Sequence, residues 1–528
     1  MSAPAKVVDV IDVIIVGSGH NGLTTAAYLA RAGQRVLVLE ARPVLGGRAV
    51  TEEFHPGFRV SSVLHAAGPL LPAVVQELEL SRHGLAWLTP EVRLYAPAPN
   101  GGLSLYDDAA RTAEGLRAQS PGDADAYLNF TAACARIGRA MRAFYEPAPT
   151  LERPGPADLW RLFGLGRKLR GLPARDLHRV LRWGPMAVAD LTAEWFSGEL
   201  LRAAVCARGI YATNHGPRAP GSSVGLLLQA ALDGQATAPA HVPRGGMGAI
   251  TAALASAARS FGAEIRAGAK VAEITVANGR AAGVVLTSGE EIRARVVVSD
   301  VDPRTTFLSL VDAAALGPAF VTKIRNIRAR GSAAKLNLAL SRLPRFGNAT
   351  RGQLTGRIHV GPTVDSLERA ADAIKYGEIS AEPTLDVTVP SLLDPSLCPN
   401  GAQVVSIHAQ FAPHTLRAGD WSTRRQELYA TIVQTLAQHA PDLPATIVGH
   451  HLLTPQDLER EYGLSGGHLF HGEPSLDQLY TFRPLLGWAG HRTPIAGLYL
   501  CGSGTHPGGP VTGAPGRNAS RVVLEELR

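Results

Sequence analysis

The chain has 528 residues, of which 45% are hydrophobic and 18% charged. It is longer than one ordinary core needs and too apolar for a disordered chain, so a packed protein of two or more interleaved domains is expected. The 52 basic residues against 45 acidic ones give a net charge of +7, but only six of the basic residues are lysine. With no zinc-finger, helix-turn-helix or RNA-binding pattern beside it, that arginine surplus gives no nucleic-acid reading. Cys134, Cys206, Cys398 and Cys501 lie far apart with no C-x-x-C, which argues against a disulfide framework, a thiol redox pair or a zinc site. No histidine and carboxylate spacing calls for a metal, and none is expected.

Met1 to Val10 carries no secretory pattern, and nowhere do about 18 apolar residues run uninterrupted. The expected location is the cytoplasm. Val10 to Val16 reads as a short apolar strand, Gly17-Ser18-Gly19-His20-Asn21-Gly22 as a turn, Leu23 to Arg31 as a helix stopped by Gly33, and Val36 to Leu39 as a second buried strand ending at Glu40. In such a βαβ unit Gly17 permits the tight turn, Gly19 lets the backbone approach a pyrophosphate, and Gly22 allows close helix packing. Glu40 is placed to accept a ribose hydroxyl. Residues 41 to 70, broken by Gly46-Gly47-Arg48 and His55-Pro56-Gly57, read as an extended ligand-lining loop.

Helical segments follow from about 105 to 235. Within them, residues 159 to 183 hold seven Lys or Arg and one acid, Asp176, interleaved with Trp160, Phe163, Leu169, Leu177 and Trp183. This composition suits an anionic membrane interface at the inner face of a membrane; an arginine-rich solvated helical pair is the competing reading. Gly164, Gly166, Gly171 and Pro173 are expected to break any continuous helix there. Ala249 to Ser260 then reads as a helix opened by Gly245 to Gly248. A three-stranded meander follows, with Ala269 to Ala277, Ala281 to Leu286 and Ile292 to Val298 separated by Asn278-Gly279 and Ser288-Gly289 turns. Near the end, Gly497 to Cys501 is a short strand entering Gly502-Ser503-Gly504-Thr505-His506, with a closing helix from about Arg517. The two ends of the chain therefore read as parts of one nucleotide-binding domain.

The fingerprint with Glu40, the Gly46-Gly47-Arg48 loop, the Gly245 to Gly248 helix start, the Val298-Ser299-Asp300-Val301-Asp302-Pro303 segment and the terminal GLYLCGSGTHPGG resemble the flavin-dependent amine oxidase and phytoene desaturase superfamily. More narrowly, Gly466-Gly467-His468 through His471-Gly472 to Arg483-Pro484 is similar to the branch named for a pyridine nucleotide-disulfide oxidoreductase domain. The resemblance implies an α/β fold: a discontinuous Rossmann-like FAD-binding domain, a mixed α+β substrate domain and a helical insert. It divides as 1–104, 241–304 and 466–528 for the FAD domain, 105–240 for the helical region and 305–465 for the substrate domain.

The resemblance implies FAD, with its diphosphate at Gly17, Ser18, Gly19, Asn21 and Gly22, its adenosine ribose at Glu40 and Ala41, and a backbone contact at Val271. It puts the isoalloxazine near Gly47, Arg48, Gly502, Ser503, Val511 and Thr512; Ser503 stands where related flavoproteins often carry an acid. Lys335, in the alternating segment Ala333 to Leu340, is similar to a lysine that holds a water at flavin N5; a solvent-facing lysine on a strand edge is the competing reading. His468 and His506 are candidates for acid and base work because imidazole titrates near neutrality.

The expected reaction is hydride removal from a C–H bond of an apolar substrate, isoprenoid-like, carotenoid-like or an amine, onto flavin N5, with electrons passed to oxygen or a quinone. A reduced-flavin double-bond isomerase and a non-catalytic flavin-bound regulator are the alternatives. Homo-oligomerisation is left open.

Overall fold

The computed structural model describes residues 11–64, 70–99, 101–118, 120–149, 151, 154–235 and 241–528. Val10, and with it the first position of the expected opening strand, lies outside the described residues. Two apolar runs too short for helices, Ile11–Val16 and Val36–Leu39, pair in parallel through Val13↔Val36 and Val16↔Leu39. The helix between them, His20–Arg31, packs its Leu23, Ala26, Ala27 and Ala30 onto one face of the sheet. The parallel sheet runs from Leu498–Leu500 through Glu291–Ser299, Ile11–Val16 and Val36–Leu39 to Glu264–Arg266. Its strands come from three separated stretches of the chain, and its central strands are buried among Val, Ile and Leu on both faces, as parallel sheets require. The meander adds Val271–Ala277 and Arg280–Leu286 antiparallel to it. The closing helix, Ala514–Leu527, begins three residues before its expected start because Pro515 fits the first helical turn.

The second sheet has seven strands in the order Ile447–Leu453, Ala333–Leu340, Gln403–Gln410, Thr384–Thr388, Arg357–Val360, Leu94–Ala96 and Leu103–Leu105. Leu336, Leu338, Val405, Ile407, Leu385 and Val387 point to one face and form a core with the helix Trp421–Ala437. Alternation then sends Lys335, Asn337, Ser406, His408, Asp386 and Arg357 to the opposite face, toward the helical region.

Three expectations change. The strands Leu94–Ala96 and Leu103–Leu105, at the end of the stretch 1–104 assigned to the first part of the FAD domain and the start of 105–240, belong to this second sheet, where Leu94 and Tyr95 pair with Arg357 and Ile358. The expected loop over 41–70 contains a hairpin, Thr51–His55 against Phe58–Ser61, turned at Gly57 with φ +78°; a Pro-Gly turn that reads as a break in the sequence closes two strands in the fold. In the basic region, Gly164 and Gly166 sit inside one helix, Pro156–Arg170, and only Gly171 and Pro173 separate it from Ala174–Trp183. Asp176 is buried there and bonds Arg136 (2.6 Å) and Arg179 (2.7 Å), which fixes the second helix to Pro121–Met141. Among the described residues no helix is long and apolar enough to cross a membrane.

Candidate functional site

The turn after the first strand has the shape its glycines demand. Gly17 adopts φ +97°, a conformation that side chains with a Cβ avoid. A Cβ on Gly19 would overlap Asp300 Oδ2, and one on Gly22 would overlap the Gly17 carbonyl. Gly46 and Gly47 have positive φ, Gly19 and Gly46 bridge, and a Cβ on Gly47 would lie 3.3 Å from the Gly19 Cα. The helix His20–Arg31 has no cap from its own N-terminal residue and no acid in its first turn; the Gly19 and Gly22 amides turn to Asp300, and the helix dipole favours an anion at this end.

The charged residues around the turn are all engaged from inside. The Glu40 carboxylate accepts the Ser18 N–H (2.9 Å), the Ser18 hydroxyl (2.6 Å) and the Arg42 N–H (2.9 Å). Ala41 follows it, exposed at the strand end. Val271 opens the meander beside that corner, which the Ala269 N–H closes on the Glu40 carbonyl at 2.7 Å.

Arg48 is buried, and donates to the Ser503 hydroxyl (2.7 Å) and the Gly509 carbonyl (2.9 Å) while its Nη1 has no partner. Burial lowers its pKa to about 9, with Asp300 opposing the fall. Asn21 Nδ2 donates to the same Ser503 hydroxyl at 3.1 Å, and its Oδ1 is unpartnered. Serine where an acid is common therefore joins the glycine-turn helix to Arg48. Gly502 lies against the Asp300 carbonyl, Val511 is fully buried, and the Thr512 carbonyl accepts from Leu71 N–H at 3.0 Å, just before the closing helix.

Asp300, which the sequence placed in a matching segment without a role, occupies the centre of the turn. Burial pushes its carboxyl up to about 8, against the pull of the Gly22 amide and Arg48. Burial thus favours its protonated form, which lessens its repulsion of a diphosphate on the same turn. Arg483 was also missed. It is buried and donates to the carbonyls of Phe470 (2.6 Å) and Ser503 (2.8 Å), pinning the segment around 470 to the C-terminal turn.

The candidate acid and base residues sit around these two arginines. His468 Nδ1 accepts the Phe470 N–H at 3.1 Å, and His506 Nε2 meets the Glu146 carbonyl at 2.9 Å. Burial holds both imidazoles down to about 3, with Arg483 adding to the fall at each. They are neutral at physiological pH.

Lys335 is elsewhere. It lies in an interior strand, between Gln403–Gln410 and Ile447–Leu453, and not at an edge, with Nζ donating to Ser406 Oγ at 2.7 Å. Ser406 donates on to Asn337 Oδ1 (2.7 Å), and Asn337 Nδ2 to the Ser62 carbonyl (3.2 Å). Burial takes the ammonium well below the ordinary lysine pKa, as expected for an amine within a low-dielectric network. Two cavities open between the sheets. One, of about 470 Å³, is lined by Trp87, Leu88, Met247, Ile250 and Leu393; the other, of about 110 Å³, reaches Phe470 and Pro507 to Pro510. Both are lined by Asp233 and Arg357.

Residues 22–524 match the model of the flavin containing amine oxidoreductases. The chain is 36% identical to the rat (Rattus norvegicus) pyridine nucleotide-disulfide oxidoreductase domain-containing protein 2, over 98% of this chain and 94% of that one. It is 30% identical to one of the limonene dehydrogenase subunits of Castellaniella defragrans, over 98% and 95%. A solved oxidoreductase from Methanosarcina mazei, 18% identical, superposes with a TM-score of 0.61 over 98% of this chain and all of that one. The disulfide chemistry in the rat protein's name has no counterpart in these residues, because all four cysteines are free thiols. The glycine cradle, the unpartnered Arg48 donor and the Glu40 corner fit a dinucleotide cofactor by their shape and chemistry: the chain belongs to the flavin-containing amine oxidoreductase family, and FAD is its cofactor.

Proposed function

We propose that the chain is a dehydrogenase or oxidase that removes hydride from a C–H bond of an apolar substrate and passes the electrons to oxygen or a quinone. The observation that carries this reading is the apolar cavity of about 470 Å³, whose lining residues Asp233 and Arg357 also line the cavity reaching the C-terminal turn. A relative named for limonene, a hydrocarbon, supports the apolar class. FAD supplies the two-electron acceptor at N5.

The protein's own residues bind, orient and exclude water. Gly17, Ser18, Gly19, Asn21 and Gly22 would hold the diphosphate with their turn, Glu40 with Ala41 the ribose, and Val271 the adenine side. Gly47, Arg48, Gly502, Ser503, Val511 and Thr512 would bound the ring. Arg48 and the amides opening the closing helix oppose negative charge at the pyrimidine edge. Lys335, whose burial favours the neutral amine, would hold a water through Nζ and move a proton. His468 and His506, neutral, accept protons only where a charge is left behind.

Purified holoprotein reduced anaerobically by limonene, a longer isoprenoid or an amine, with one acceptor equivalent consumed per product, is the expected result. Product formed without acceptor reduction would replace oxidation by isomerisation. Yellow protein inert to the whole panel under several acceptors would sink the enzymatic reading.

Among its described residues the helix Pro156–Arg170 has none that is fully buried, and it exposes Leu159, Trp160 and Phe163, while Arg167, Lys168, Arg170 and Arg175 have no carboxylate partner among the described residues. An anionic bilayer surface would cover that apolar edge and pair those cations, and an apolar substrate partitions into the same phase.

A further inference from the structure

Between the helical region and the polar face of the second sheet, two arginines are buried on a single carboxylate oxygen. Arg208 Nη1 and Arg357 Nη1 donate to the same Asp386 Oδ2, at 3.1 and 2.7 Å. Both guanidiniums also lie over the Tyr211 ring, at 4.9 and 5.2 Å from its centroid. Their Nε atoms, and Nε2 of Gln229, whose Oε1 takes the other arm of Arg208, have no hydrogen-bond partner.

His359 and His408, on the same face, are held to about 4 by burial and are neutral. Lys335 is likewise driven toward its neutral form. Asp233 is engaged by Arg93, itself paired with Asp107. Arg208 and Arg357 thus share Asp386, while Arg93 is shared by Asp233 and the exposed Asp107; Asp233 acts on Arg208 only at a distance, and the unspent guanidinium and amide donors stand beside it, buried donors that are costly unless an acceptor completes them. Arg208, Arg357, Tyr211 and Gln229 all line the cavity that shares Arg357 with the apolar one.

We infer that this arginine pair is the recognition site for a carboxylate carried at the end of an otherwise apolar substrate. The inference rests on the proposed function, since it names the class of molecule the same cavity takes. A carboxylate gives the two guanidiniums that share Asp386 an acceptor of their own, and its planar oxygens match guanidinium donors. A dianionic phosphate would set two negative charges beside Asp233, which lines the same cavity. The apolar cavity receives the rest of the molecule, so the acid group fixes which carbon is presented to the cofactor.

The test uses FAD-loaded protein and isothermal titration calorimetry with decanoate, decanol and decyl phosphate. Decanoate is expected to bind about ten-fold or more tightly than decanol, and more tightly than decyl phosphate. Arg208→Gln and Arg357→Gln should each remove the decanoate advantage while leaving decanol unchanged, and Arg357→Lys should restore part of it. Equal affinity for decanoate and decanol, a preference for decyl phosphate, or no binding of any probe by yellow holoprotein overturns the inference. The wild-type comparison stands even if a variant fails to fold. Protein that stays colourless after reconstitution would count against the flavoenzyme reading and not against the subsite alone.

Discussion

On the proposed function, the two sheets recognise their ligands by opposite means. In the parallel sheet the chemistry sits at strand ends and belongs to the backbone: glycines without Cβ atoms, a helix start with no cap of its own, and one turn that a single side chain would fill. In the seven-stranded sheet it sits on a strand face and belongs to side chains drawn from distant segments, Arg357, Asp386, Lys335 and His408 among them. A backbone site is tied to the path of the chain and can serve one kind of ligand. A side-chain site can be rewritten one residue at a time without disturbing the fold, which is how one cofactor domain comes to serve many substrates.

Gly19→Val breaks the contrast hardest. The new side chain meets Asp300 at the centre of the turn, and FAD affinity should fall by about a hundred-fold or more with the circular dichroism spectrum unchanged. Full flavin occupancy in that variant, read from absorbance, would mean that the turn does not hold the diphosphate.

Lys335→Met tests the side-chain site. It should keep FAD bound yet slow reoxidation of dithionite-reduced holoprotein by oxygen roughly a hundred-fold, followed by stopped flow. An unchanged rate would leave Lys335 a structural member of its network with Ser406 and Asn337.

A pH scan sharpens the comparison further. His468 and His506 have folded pKa values near 3, below the ordinary unfolded value of about 6.5. The unfolded chain therefore binds more protons between those values, and each buried histidine should cost up to about 1.4 kcal/mol of stability per pH unit as pH falls below about 6.5. The raised Asp300 carboxyl works the other way over the same range, so thermal melts from pH 7.5 to 5 are compared between wild type and Asp300→Asn: the midpoint should fall with acid in the variant, and a flat profile there would place these rings in contact with solvent.

The smallest effect is expected outside both sheets. Replacing Trp160 and Phe163, 73% and 63% exposed, by serine should shift stability by no more than about 0.5 kcal/mol. Flotation with anionic vesicles should nonetheless be lost, while wild type that never floats would end the membrane proposal.

What the sequence made legible follows the same division. The glycine turn, Glu40, the meander and the terminal strand announce themselves because a strand, a glycine spacing and a helix start are local patterns. Asp300 and Arg483 carry no such pattern, since their roles depend on the crossing of segments far apart in the chain. Arg357 in RIHV and Asp386 in TLDVT did leave a trace: a charge at an inward position of an apolar strand must be buried with a partner. Reading that trace across both strands would have paired them. The hairpin at 51–61 was hidden by His55-Pro56-Gly57, where a turn and a loop look alike without knowledge of what the flanking residues pack against.

The parallel sheet takes one of its strands, Leu498–Leu500, from the far end of the chain, pairing it with Glu291–Ser299, and the helix Ala514–Leu527 leans on the helix His20–Arg31. On the ribosome, the first βαβ unit is made long before the strand Leu498–Leu500 and the helix Ala514–Leu527 that wall its cradle. Closure of the coenzyme groove thus waits for those segments, and a nascent chain stalled before that strand would expose a half-built groove to the cell's quality-control machinery.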